Sequence, residues 1–184
     1  MPPIGMSTDD WRTNRADQVR HMLLPLKGQR GIVCEPSKKK VRSGTALVAH
    51  DGVRDEYDYR ACRFRSRKAR IEGNYFEIWV PDPTWRRMYL KRAYLTLLLR
   101  NDTRRSADEL LCIHCDPDDA SEGPTRHYKR GPHLHVRMAQ APLPRCHFAL
   151  CLTSMDNVVT SAASLTAAFG EAALMISHEV LERF

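Results

Sequence analysis

Glu109-Leu110-Leu111-Cys112-Ile113-His114-Cys115 is the run on which the fold turns. Successive side chains of a β-strand point to opposite sides, so Leu111, Ile113 and Cys115 make one face and Cys112 and His114 the other. Two later runs repeat the pattern. In His133-Leu134-His135-Val136-Arg137-Met138, Leu134 and Val136 oppose His133, His135 and Arg137. In Cys146-His147-Phe148-Ala149-Leu150-Cys151-Leu152, Cys146, Phe148, Leu150 and Leu152 oppose His147, Ala149 and Cys151. Each strand offers an aliphatic side to a core and places histidine on the side facing away from it.

Upstream, the texture is also β. Gly31-Ile32-Val33-Cys34 and Thr45-Ala46-Leu47-Val48-Ala49 read as strands separated by a basic loop, Ser37-Lys38-Lys39-Lys40, with Asp51-Gly52 as a turn. Residues 57–67 alternate, with Tyr57, Tyr59, Ala61, Arg63, Arg65 and Arg67 on one side and Asp58, Arg60, Cys62, Phe64 and Ser66 on the other. Glu72-Gly73-Asn74 turns into Tyr75-Phe76-Glu77-Ile78-Trp79-Val80, which Pro81-Asp82-Pro83 stops. Residues 84–100 read as a short helical turn followed by a strand, and the three tryptophans, Trp11, Trp79 and Trp85, as core or interface anchors.

Helices are expected at both ends. Ser7-Thr8-Asp9-Asp10 supplies cap hydroxyls and first-turn acids ahead of Trp11, Ala16, Val19, Met22 and Leu23, and Pro25 and Gly28 end that element. Residues 156–184 predict a long helix capped by Asp156 and bent or divided at Gly170, docking within the molecule in preference to an oligomer. The fold class is α+β: a mainly antiparallel sheet flanked by an N-terminal helix and a long C-terminal helix, with residues 1–184 as one domain.

Composition narrows the function classes. A hydrophobic fraction of 42% and a charged fraction of 28% belong to a folded chain. No apolar run approaches the roughly 18 residues of a membrane span, and no apolar block follows the N-terminus as a secretory signal would require, so a cytoplasmic protein with reduced thiols at its six cysteines is expected. The net charge of +7 suits nucleic acid, a nucleotide or an acidic protein. GxGxxG, GxxxxGK[ST], HExxH and GxSxG are all missing, which removes dinucleotide, P-loop, zincin and α/β-hydrolase mechanisms.

Four of the eight histidines, His114, His133, His135 and His147, converge if the three strands are neighbours, and three readings of that face stand side by side. In the first it is a solvated or helix-covered polar surface with no chemistry. In the second it binds zinc or another divalent transition metal through His133, His135, His114 and Cys112, with His147 and Asp116 as further candidates. Cys112 and Cys115 lack the second pair that a zinc knuckle needs. In the third, His133, His135, His114 and His147 perform acid–base chemistry on a phosphodiester while Lys129, Arg130 and Arg137 hold its phosphate. Arg63, Arg65 and Arg67, joined by Lys68 and Arg70, form a basic stripe for the same ligand, with Tyr57 and Tyr59 for base stacking. Asp116, Asp118, Asp119 and Glu122 lie beside the first histidine strand, able to orient an imidazole. The expected function is thus binding of, or action on, nucleic acid or a nucleotide, including phosphodiester hydrolysis. The rival is a non-catalytic accessory subunit that binds a protein partner, or a second copy, through its C-terminal helix.

Overall fold

The structure, a computed structural model, describes residues 4–26, 31–41, 44–52, 58–68, 70–100, 107–117, 133–136, 146–149 and 161–182; for 39, 40, 107, 133–136 and 146–149 it describes the backbone alone. The described strands are β1 (Gly5–Ser7), β2 (Val33–Val41), β3 (Gly44–His50), β4 (Phe64–Arg65), β5 (Ile71–Pro81), β6 (Arg87–Arg100), β7 (Ala107–Cys115), β8 (His133–Val136) and β9 (Cys146–Ala149). They form one antiparallel sheet in the order β2-β3-β5-β6-β7-β8-β9, with β1 beside β6 and β4 beside β5. Among the described residues two α-helices, α1 (Thr8–Met22) and α2 (Ala162–Ile176), accompany it. The α+β architecture expected from the sequence is the observed one.

The alternation that sorts β7 extends through the whole sheet. Leu47, Ala49, Tyr75, Trp79, Ala93, Leu95, Leu97, Ile113 and Cys115 make an inner face, buried in one core with Trp11, Val19 and Met22 of α1 and Leu165, Phe169 and Ala172 of α2. The opposite, outer face carries a smaller cluster of Ala46, Val48, Cys62, Phe76 and Ile78. Cys112 and Cys115, three residues apart on a strand, therefore sit on opposite faces and make no chelating pair. No disulfide joins Cys34, Cys62, Cys112 or Cys115.

A charged network is set into that core. Arg15 of α1 and Glu77 of β5 are both fully buried and ion-paired. Glu77 also accepts from the Tyr75 hydroxyl and from Trp79 Nε1 at 2.7 Å, while Arg15 Nη1 donates to Thr166 Oγ1 of α2 at 2.6 Å and to Gln18 Oε1 at 3.0 Å. The guanidinium also lies 5.6 Å from the centre of the Trp79 ring. A buried pair survives desolvation only when its other donors and acceptors are matched, as these are.

Several local expectations change. The basic stretch 37–40 lies inside β2, a strand with a register shift between Pro36 and Lys40, and not in a loop. Lysine suits this position because β2 is an end strand of the described order, where charge discourages pairing with other chains. Residues 59–61 form a 3-10 turn, and of the described part of the expected 57–67 strand Phe64 and Arg65 pair with β5 as β4, with Ser66 N donating to Ile71 O at 3.0 Å. There Phe64 covers Gly73, where any Cβ would overlap its ring. No helical turn precedes β6, which starts at Arg87, and Trp85 is 63% exposed instead of anchoring a core. The C-terminal helix starts at Ser161, whose hydroxyl caps Ser164 N at 3.1 Å; Asp156 lies outside the described residues. Gly170 does not divide it: α2 runs on to Ile176 and into a wider turn, Ser177–Leu181. Its apolar side docks on the inner core, leaving Leu174 and Met175 exposed.

Candidate functional site

Pairing register places the sequence's histidine positions in two rows across the outer face. One row runs Phe76, Tyr94, His114, His133, Ala149; the next runs Asn74, Thr96, Cys112, His135, His147. Directly opposed residues share a side of a sheet, and neighbouring strands lie about 4.8 Å apart. Two bulges set this arrangement: Ile78 pairs with Arg92 while Trp79 pairs with Leu90, and Leu97 pairs with Leu111 while Leu98 pairs with Glu109. The extra residue Lys91 brings Phe76 and Asn74 into line with Tyr94 and Thr96, and the extra residue Leu110 brings those two into line with His114 and Cys112.

The aromatic row is packed ring on ring. Phe76 and Tyr94 stack at 5.0 Å and 7°, Tyr94 and His114 at 4.8 Å and 25°, and Tyr59 meets Phe76 edge-on at 5.0 Å. Their faces are taken up by one another, so a ligand on this side meets ring edges. Asp116, two residues beyond His114, holds the end of the row. Its Oδ2 lies 2.8 Å from His114 Nδ1 and accepts from the Tyr94 hydroxyl at 2.9 Å. A carboxylate acceptor requires the proton on Nδ1, which orients the ring. Burial opposes ionisation of Asp116, but the His114 and Tyr94 hydrogen bonds, helped by Arg92, hold its carboxyl below the usual range. Burial first, and Asp116 second, raise the Tyr94 hydroxyl, which stays a phenol and a donor.

Beside this row is a cleft of about 400 Å³. Arg60, Arg63 and Arg92 line it, over a wall of Phe76, Tyr94 and Leu98, with Asn74, Thr96, Cys112 and Glu109 completing it. The Arg63 guanidinium donates to the backbone oxygens of Arg60 and Cys62, the latter at 3.0 Å, and its burial lowers its pKa. Arg92 Nε is buried with no hydrogen-bond partner among the described residues; Asp116 Oδ1 is 3.9 Å away. An Nε–H held out of water without a partner, on a side chain otherwise 36% exposed, is a donor that an anionic oxygen can meet.

The predicted basic stripe is not one surface. Arg63 enters the cleft together with Arg60, which alternation had assigned to the opposite side; the 59–61 turn causes the exchange. Arg65 is exposed, its amide bound to Asp51, and Arg67 reaches toward Glu182 at 3.8 Å. Tyr59 is packed on Phe76, while Tyr57, Lys129, Arg130, Arg137, Asp118, Asp119 and Glu122 lie outside the described residues. Among described residues no group of three or more His, Cys, Asp or Glu is placed to hold a metal; the side chains of His133, His135 and His147 are not among them. Tyr94, Arg60 and Arg92 escaped the sequence reading. Asp116, just past the end of β7, is read there as able to orient an imidazole, and its contact with His114 does so.

The chain matches no protein-family model, no curated protein and no solved structure.

Proposed function

We propose that the outer face binds nucleic acid or a nucleotide by its phosphate and that the adjoining histidine rows cleave the phosphodiester. The observation that carries this is the contact between the two parts: Cys112 lines the arginine cleft and is also the register partner of His135. Arg60, Arg63 and Arg92 would hold the phosphate oxygens. One of His114, His133, His135 and His147 would take the proton of the attacking hydroxyl or water, and another would protonate the departing oxygen. The arginines would meet the extra negative charge at phosphorus. Lys129, Arg130 and Arg137, with Arg65 and Arg67, would extend the phosphate contacts.

A second reading gives the same rows a divalent metal such as zinc, held by His133, His135, His114 and Cys112. It draws support from the pairing of His114 with His133 and of Cys112 with His135. The rival role as an accessory subunit has less surface to work with, since α2 spends its apolar side on the core.

The test is cleavage of labelled single-stranded RNA and DNA, with and without chelator, by the parent and by His133→Ala and His135→Ala. The histidine variants should lose about 10²–10⁴-fold in rate and keep their affinity. Arg63→Ala should weaken binding. Loss of activity with chelator, and bound zinc on elemental analysis, would favour the metal reading. No cleavage together with no salt-sensitive binding would end the proposal in both forms.

A further inference from the structure

The β5–β6 hairpin ends in a residue that fits its backbone poorly. Trp85 has φ of 59°, the left-handed region that glycine and asparagine fill at little cost and a bulky side chain does not. It is nonetheless held there firmly. Trp85 N donates to Asp82 O at 3.0 Å, Thr8 Oγ1 donates to Trp85 O at 2.7 Å, and Thr8 N donates to Arg86 O at 3.0 Å. The Asp82 carboxylate accepts from Arg86 N at 2.9 Å, Arg87 N at 3.3 Å and Thr84 Oγ1 at 2.9 Å. A loop this well tied would accept glycine at its tip, yet the chain displays an indole that is 63% exposed. Exposed Arg86 and Arg87 flank it, with no carboxylate ion-paired to either among the described residues. Exposed Asp9 and Asp10 open α1 close by and the Asp82 carboxylate sits inside the loop, so the cationic groups at the tip are these two arginine side chains.

We propose that Trp85 is a stacking platform for a base of a single-stranded nucleic acid whose phosphates are met by Arg86 and Arg87. This rests on the nucleic-acid reading of the outer face and sharpens it, because it makes the ligand a polymer and not a free nucleotide. Arg87 and Arg92 of the cleft are five residues apart along β6, roughly 17 Å, which is beyond one nucleotide and within reach of a short strand. Stacking suits the site because indole has a flat face for any base and arginine beside it supplies charge without sequence preference.

The experiment is titration of the full chain with a twelve-nucleotide single strand and, separately, with a nucleoside monophosphate, reading tryptophan emission and affinity. Trp11 and Trp79 are buried, so Trp85 should dominate the quenching. The single strand should quench the parent, and Trp85→Gly should bind it about tenfold more weakly while melting no lower than the parent. Trp85→Phe should keep most of the affinity, and monophosphate binding should be equal in all three. Unchanged strand affinity in Trp85→Gly, or strand binding without quenching, would overturn the platform and leave the tip to a protein partner, with the cleft reading intact. Failure to bind either ligand would overturn both.

Discussion

Asp116 ties three groups of the outer face together, and its acid–base behaviour is accessible to measurement. Its carboxyl is held below the ordinary range in the folded protein, so it contributes stability above the unfolded value of about 4 and loses that contribution as pH falls through the lowered value. Asp116→Asn keeps the shape and removes the charge that His114 and Arg92 face. It should cost about 1–2 kcal/mol at pH 7, a Tm lower by roughly 2–8 °C. The difference from the parent should shrink below about pH 4. Thermal melts at pH 7, 5 and 3 check this. A penalty that persists undiminished at pH 3 would mean that the substitution acts through packing and not through charge.

At the scale of elements, β7, β8 and β9 are legible as strands because a period of two is local and three short runs each declare it; 137–138 and 150–152 of the expected runs lie outside the described residues. What joins the strands is not local. The rows across the outer face depend on the extra residues Lys91 and Leu110, and nothing in either short segment marks a bulge. Residues 57–67 misled for the opposite reason. Arginines alternate with Cys62, Phe64 and Ser66 as if along one strand, but the pairing with β5 is confined to Phe64–Ser66, and the turn at Tyr59–Ala61 turns Arg60 toward the cleft. The Arg15–Glu77 pair was invisible, since a lone arginine on a helix reads as solvated until the strand 62 positions on is known to lie beneath it. Removing one partner leaves an uncompensated buried charge, so Arg15→Met should cost about 3–5 kcal/mol. Arg15→Met combined with Glu77→Gln should recover part of that, because glutamine still accepts from Tyr75 or Trp79. Urea unfolding of the two single variants and the double variant measures the coupling.

For the whole molecule, a net charge of +7 and a three-arginine cleft make salt the most telling variable. Affinity for a single strand should fall linearly on a log–log plot against salt, and each of Arg60→Ala, Arg63→Ala and Arg92→Ala should reduce the slope by about 1 or less. Arg70→Ala, outside the cleft lining, should change it less. Equal slopes in all four would relocate the phosphate contacts away from the cleft.

The buried ion pair also sets an order of events during synthesis. Arg15 and Glu77 are made early, but the helix that supplies Thr166 to the guanidinium comes from the last fifth of the chain. A nascent chain still lacking residues 161–182 has α1 on its inner face but leaves bare the part that Leu165, Phe169 and Ala172 cover, and its arginine lacks Thr166. Such a chain should be a substrate for chaperones and proteases until α2 is made and docks, and deletion of residues 161–182 should remove the whole fold and not just that helix.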